Sequence, residues 1–102
     1  LLNNAKSETI DIKPSFRHAF KQQRCLILAD GFYEWDATTT PKQTYFIQQS
    51  NKRPLAMAGI WERWISNDKT VESCCIVTMA ANKVVSKIHD RMPVILTAEQ
   101  YD

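Results

Sequence analysis

Apolar runs of strand length recur along this chain, and a turn-forming cluster closes almost every one. The runs lie at 25–29, 32–35, 45–47, 55–64, 71–79 and 94–96. The breaks are Asp30-Gly31, the polar stretch 36–42 that holds Pro41, Ser50-Asn51-Lys52 and Asn67-Asp68-Lys69. Short runs spaced by hairpin-length loops build antiparallel sheets. The alternation of strand and helix that makes a doubly wound parallel sheet is missing. The predicted class is therefore α+β: a mostly antiparallel sheet or partly closed β-barrel with peripheral helices. The continuous run 25–29 reads as a buried strand, and Gly59 inside 55–64 as a possible bulge.

Helical signals sit at the margins. Phe16, Ala19 and Phe20 fall at i, i+3, i+4, and Pro14 suits a first helical turn, so a short amphipathic helix is predicted over 14–23. Asn82 is placed to cap a short helix within 80–87. Thr97-x-x-Gln100 forms a capping box. Residues 1–9, with Ser7 and Thr9 as possible caps, and residues 89–93 read as loops.

The totals exclude more than they assign. A chain of 102 residues is one domain or part of one. Residues 1–102 are expected to be part of a single domain truncated at the N-terminus, where the chain opens on Leu1, and at the C-terminus. The net charge of +2 neither demands nor excludes nucleic acid. The charge is uneven, however: Lys6, Lys13, Arg17, Lys21 and Arg24 face only Glu8 and Asp11 in the first 24 residues. That end can meet a phosphate backbone, although a solvated helix face is the simpler account. No apolar run approaches the roughly 18 residues of a membrane span, and no signal peptide is visible. The three cysteines, Cys25, Cys74 and Cys75, have no CxxC or Cys/His spacing. They are expected to be reduced thiols of an intracellular protein, buried as small apolar residues. With two glycines there is no phosphate loop, and no HExxH or GxSxG occurs. Neither a metal nor another cofactor is expected.

Two titratable side chains stand apart. Glu34 lies between Tyr33 and Trp35, in an apolar setting that ends at Asp36. His89 precedes Asp90 and Arg91, and histidine is the natural proton shuttle near neutral pH. A lone Glu on a strand is ordinarily solvated and a lone His in a loop ordinarily lies on the surface, so residue pattern alone leaves a Glu34–His89 acid/base pair open. Trp35, Trp61 and Trp64 offer stacking faces for unpaired bases, against the reading that burial habits favour, core aromatics.

Six blocks then occur in order: Asn4-Ala5-Lys6-Ser7-Glu8-Thr9, Arg24-Cys25-Leu26-Ile27, Ala29-Asp30-Gly31-Phe32-Tyr33-Glu34-Trp35, Ala58-Gly59-Ile60-Trp61-Glu62, Thr78-Met79-Ala80-Ala81-Asn82 and His89-Asp90-Arg91-Met92-Pro93. Together they closely resemble the SOS response-associated peptidase (SRAP) family, nearly end to end. The resemblance implies a protein that recognises abasic sites in single-stranded DNA. It implies a covalent DNA–protein crosslink, a thiazolidine, formed by the α-amine and thiol of an N-terminal cysteine that autoproteolytic removal of the initiator Met exposes. Carried onto this chain, Glu34 matches the catalytic glutamate and His89 the active-site histidine that protonates the sugar oxygen. Asn4 matches an asparagine that orients cysteine and sugar. Arg91 falls on a phosphate-contacting arginine, Trp35 on the surface where bases are splayed apart, and Lys6 on a DNA-contacting arginine. The implied keywords are DNA repair, DNA damage response, SOS response, single-stranded DNA binding, peptidase, hydrolase and lyase. The implied location is the cytoplasmic nucleoid in a bacterium or the nucleus in a eukaryote.

The chain departs from the family pattern in three places. The N-terminal cysteine is not in this sequence, and none of Cys25, Cys74 or Cys75 can replace it, because the chemistry needs an α-amine and a thiol on one residue. Lys6 keeps the charge of the family's arginine and loses its bidentate fork. Leu28 stands where proline is usual. Two rival readings follow: a divergent, noncatalytic domain that binds single-stranded DNA or is purely structural, and a peptidase acting on other proteins.

Overall fold

The computed structural model describes residues 4–36 and 38–101. Two long strands carry the main sheet. β5 (Leu55–Ser66) and β6 (Lys69–Ala80) pair antiparallel in unbroken register, from Gly59 opposite Ile76 to Ser66 opposite Lys69. Asn67 turns them with φ 51, a left-handed value that asparagine tolerates better than most residues. The continuous register leaves no bulge at Gly59. The glycine instead makes room for neighbouring side chains: a Cβ there would lie 2.6 Å from Ile27 Cδ1 and 3.1 Å from Cys25 Sγ, so Ile27 would have to shift.

Before Gly59 on β5, and beyond Ile76 on β6, the two strands part, and the C-terminal segment fills the fork. β7 (Arg91–Pro93) pairs with β6, and β8 (Ile95–Leu96) pairs with β5. Val94 joins both sides. The Ala58 N–H donates to the Val94 carbonyl at 2.8 Å, and the Val94 N–H donates to the Val77 carbonyl at 2.8 Å. Residues 91–93 are thus strand rather than the expected loop. Two diverging strands expose unpaired backbone groups, and this segment satisfies them.

β2 (Arg24–Ala29) lies on the other side of β5, and β1 (Asn4–Lys6) runs parallel to β6. The other pairings are antiparallel, as expected. β1 falls where a loop was expected; residues 1–3 of that stretch lie outside the described residues. Its signal is short, a single apolar Ala5 between polar neighbours. Ala5 is nevertheless fully buried, in register with Val77. β2 is not the uniformly buried strand expected from its composition. Its burial alternates, and Leu28 is 71% exposed. Among the described residues β2 has a strand neighbour on one side only, and its side chains are alternately exposed and half-buried.

At the start of β5, Leu55, Ala56 and Met57 are buried in succession, so both faces of the sheet are covered at that point. The largest core cluster lies on one face of the sheet. Ala5, Ile60 and Val77 pack there with Ile10, Phe16 and Ala19, and Phe20, Ala58, Cys75 and Val94 close around them. α1 (Arg17–Gln22) is shorter than predicted, yet the chain coils before it: the Arg17 N–H donates to the Lys13 carbonyl at 2.9 Å. The apolar positions read from the sequence face the sheet. Arg17, His18 and Lys21 face solvent, as do Lys6, Lys13 and Arg24.

A separate hairpin, β3 (Phe32–Asp36) with β4 (Gln43–Ile47), follows the Asp30-Gly31 break. Gly31 is held by sterics, since a Cβ there would lie 2.4 Å from the Ile47 carbonyl oxygen and 2.7 Å from Phe46 Cζ. At the hairpin's far end Asp36 is buried, and its Oδ1 accepts the Thr38 N–H at 2.9 Å and the Thr38 hydroxyl at 2.6 Å. These two bonds hold the Asp36 carboxyl below its ordinary range. Tyr33 lies opposite Phe46, with ring centroids 5.0 Å apart and tilted 50°. A pair of that geometry contributes about 0.5–1.5 kcal/mol beyond its area burial.

Candidate active site

Strand alternation decides where Glu34 points. On β3, Tyr33 and Trp35 lie on the exposed face, while Phe32, Glu34 and Asp36 turn inward. The Glu34 side chain retains 17% of its accessibility. Its cross-strand neighbour is Tyr45.

His89 arrives from the other end of the chain. Asn82 Oδ1 accepts the N–H groups of Val84 at 3.1 Å and Val85 at 2.9 Å, the cap expected from the sequence. The capped turn continues as a short 3₁₀ helix, Val85–Lys87. The His89 N–H donates to the Val85 carbonyl at 2.9 Å and ends the turn. The ring is then fixed by its own loop: the Arg91 N–H donates to His89 Nδ1 at 3.0 Å. When Nδ1 accepts that bond, the neutral ring carries its proton on Nε2. Nε2 faces Glu34, 3.7 Å from Oε1. On the other side of the ring, Asp90 Oδ1 lies 3.4 Å from Nδ1. That carboxylate and the Arg91 carbonyl, at 3.2 Å, can accept a hydrogen bond from Nδ1–H when the ring is charged. A carboxylate and an imidazole so placed can pass a proton between them or to a group bound across them.

Arg91 begins β7 in register with Ala80. Its guanidinium is gripped by Glu8: Nη1 donates to Oε2 at 2.7 Å and Nη2 to Oε1 at 2.9 Å. Nη2 also donates to the Thr78 hydroxyl at 3.1 Å. The buried Nε has no partner among the described residues. The two-pronged bond to Arg91 is the main cause that brings the Glu8 carboxyl down to about 2. Lys6 lies in register with Thr78 on the opposite edge of β6.

The site residues read from the sequence therefore separate into groups. Glu34 and His89 meet directly, and Arg91 joins them through the backbone bond to His89. Lys6 lies on the strand beside Thr78. Asn4 stands two residues earlier on β1, in register with Ile76, and makes no side-chain hydrogen bond among the described residues. Trp35 is 53% exposed on the outer face of the hairpin, and Trp64 on the β5–β6 ribbon is 62% exposed; neither is the core aromatic that burial habits favour. Cys74 is also exposed rather than buried, while burial raises the thiols of Cys25 and Cys75. No group of three or more His, Cys, Asp and Glu side chains suited to a metal occurs among the described residues. No helix there is long and apolar enough to cross a membrane.

The model of the SOS response associated peptidase (SRAP) family matches residues 1–102. This chain belongs to the SRAP family. The abasic site processing protein YoqW of Bacillus subtilis is 42% identical over 100 residues, covering 94% of this chain and 44% of that protein. HMCES of Xenopus tropicalis, also named an abasic site processing protein, is 33% identical over 118 residues, covering 96% of this chain and 35% of its own length. A crystal structure of a protein from Bacteroides thetaiotaomicron superposes with a TM-score of 0.89 at 35% identity, over 96% of this chain and 44% of that one. One from Bordetella bronchiseptica gives 0.87 at 30% identity, over 96% and 51%. The SRAP chain thus spans between about a third and a half of the length of the relatives it matches.

Sequence reasoning missed two residues of this cluster, Glu8 and Thr78, which hold Arg91. Both lie inside blocks that carry the family resemblance. Glu8 pairs with a partner 83 residues away, a separation across which charge patterning gives no signal.

Proposed function

We propose that the full-length protein containing this chain processes abasic sites in single-stranded DNA by covalent capture, with Glu34 and His89 as its proton-transfer pair. The supporting observation is the approach of His89 Nε2 to Glu34 Oε1, 3.7 Å, from two elements remote in sequence. Relatives bearing the name abasic site processing protein support the substrate.

The chemistry is acyl-free and needs protons moved in order. His89 in its charged form gives the Nε2 proton to the sugar ring oxygen as the C1–oxygen bond breaks. The C1 hydroxyl proton passes to Glu34 and on to Nε2, so the ring opens to the aldehyde and both groups are reset. The α-amine of an N-terminal cysteine adds to that aldehyde carbon, and Glu34 takes the proton the amine loses. Glu34 passes it to the alkoxide oxygen, which gives the carbinolamine. His89 then protonates that hydroxyl, which leaves as water, while Glu34 takes the second proton from nitrogen and returns it to Nε2, and the imine is formed. The cysteine thiol adds to the imine carbon, its proton passes to nitrogen, and a thiazolidine closes. Aldehyde and aminothiol thus become thiazolidine and one water. Glu34 in the same position serves removal of the initiator Met, which frees the α-amine. A carboxyl largely withdrawn from water and facing an imidazole suits both directions of transfer. Asn4 on β1 orients cysteine and sugar; Lys6 and Arg91 meet phosphate; Trp35 offers its exposed face to a base. Such a protein works where DNA is, in the bacterial nucleoid or the nucleus.

The test mixes full-length protein with an oligonucleotide bearing one abasic site and resolves the products on a denaturing gel. A shifted band that needs the N-terminal cysteine is expected. No covalent species near neutral pH, with intact binding of single strands, would replace this reading with a noncatalytic DNA-binding domain, the alternative that Lys6 motivates.

A further inference from the structure

The Arg91 fork is already filled. Glu8 takes both arms of the guanidinium, at 2.7 and 2.9 Å, in the parallel geometry by which arginine holds carboxylate or phosphate. Of the two N–H groups outside those contacts, the one on Nε is buried and has no partner among the described residues, and the second on Nη1 points away from it, so the two do not form another fork. Any phosphate that is to receive the same two-pronged bond must first displace Glu8. Displacement is open to it, because the Glu8 side chain is 52% exposed and its other bonds are local ones, from its own backbone N–H and, at 3.4 Å, from the neighbouring Ser7 hydroxyl. Arg91 is 23% exposed and stays tethered to the Thr78 hydroxyl at 3.1 Å. Lys6, in register with Thr78, adds a second positive charge to the same patch.

We infer that Glu8 is a built-in competitor for a DNA phosphodiester at Arg91: its carboxylate occupies the phosphate seat in the free protein and swings out when a strand binds. The inference rests on the reading that Arg91 meets the DNA backbone, and it adds what that reading lacks, the group that sets how tightly Arg91 does so. Two consequences follow. The wild-type protein neutralises one phosphate fewer than its cations suggest, because Arg91 exchanges one anion for another. Undamaged strands are held weakly as a result, and a strand fixed by covalent capture can still complete the exchange.

The experiment measures binding of full-length protein to a fluorescein-labelled, undamaged single-stranded oligonucleotide across a salt series. Wild type is compared with Glu8→Gln, Arg91→Gln and the double variant. Undamaged DNA keeps the covalent step out of the measurement. Glu8→Gln keeps the side chain's size at an exposed position, and far-ultraviolet dichroism confirms its fold. Tighter binding is expected at low salt, with a slope of log affinity against log salt steeper by about 0.7, the value for one added phosphate on a single strand. That slope corresponds to a roughly threefold greater loss of affinity between 50 and 200 mM salt. The gain should vanish in the double variant. A merely structural role for Glu8 would leave the slope alone. If Arg91→Gln weakens binding while Glu8→Gln leaves slope and affinity unchanged or lowers both, the competitor is overturned and the DNA contact of Arg91 stands. If Arg91→Gln changes nothing, the underlying reading of Arg91 fails as well.

Discussion

Glu34 illustrates how one residue's role depends on its direction. Sequence placed it among aromatics, but only the alternation of β3 shows that Tyr33 and Trp35 face out while Glu34 faces His89. Glu34→Gln keeps the size and removes the proton shuttle. Crosslinking by the full-length protein should slow by on the order of 100-fold or more, the usual contribution of a positioned acid or base. Gel-resolved single-turnover rates check it, and unchanged rates would remove Glu34 from the chemistry. Glu8 gives a pH prediction. Its carboxyl falls from 4.5 to about 2 in the folded protein, chiefly through Arg91. A depressed carboxyl stabilises the fold above its unfolded pKa, and that contribution is lost as pH falls through the folded value. The Tm difference between wild type and Glu8→Gln should therefore be level above pH 4.5 and shrink from there toward about 2. A difference that grows on acidification would contradict the pairing. Gly31→Ala forces a Cβ to within 2.4 Å of the Ile47 carbonyl. It should destabilise by about 1–3 kcal/mol, as overpacking does, and denaturant titration measures it.

At the scale of elements, the segment from Asn82 to Leu96 brings His89 to Glu34. It begins with a cap, presents His89, and ends by filling the fork between β5 and β6. The cap and the Thr97–Gln100 box were legible because short polar side chains at fixed offsets bind nearby N–H groups. The fork was not legible: residues 91–93 have no alternating pattern, and the need for a strand there arises from two other strands that part. β1 was hidden for a similar reason, since one buried alanine carries little signal. Asn82→Ala leaves two N–H groups without their acceptor. It should cost about 1 kcal/mol, the usual worth of a cap, and amide exchange over 85–89 should quicken. Protection that stays at the wild-type level would show that the loop is held by β7 alone.

The molecule as a whole reads as one sheet with an attached hairpin, and the site lies where they meet. The class was legible because turn clusters and strand-length runs are local signals. Glu34 and His89 became a pair only through the family resemblance and then through the fold, because their proximity is a product of long-range pairing. Arg91 was assigned to phosphate from resemblance, and the fold adds that an internal carboxylate already holds it. The chain spans between about a third and a half of its SRAP relatives, so the chemistry belongs to the full-length protein. The central claim is that Glu34 and His89 act together. A double-mutant cycle on single-turnover crosslinking, with Glu34→Gln, His89→Gln and both, tests it most directly. The account predicts that the double variant is about as slow as the slower single variant, as groups acting as a unit behave. Losses that multiply in the double variant would show two independent groups and contradict the pair.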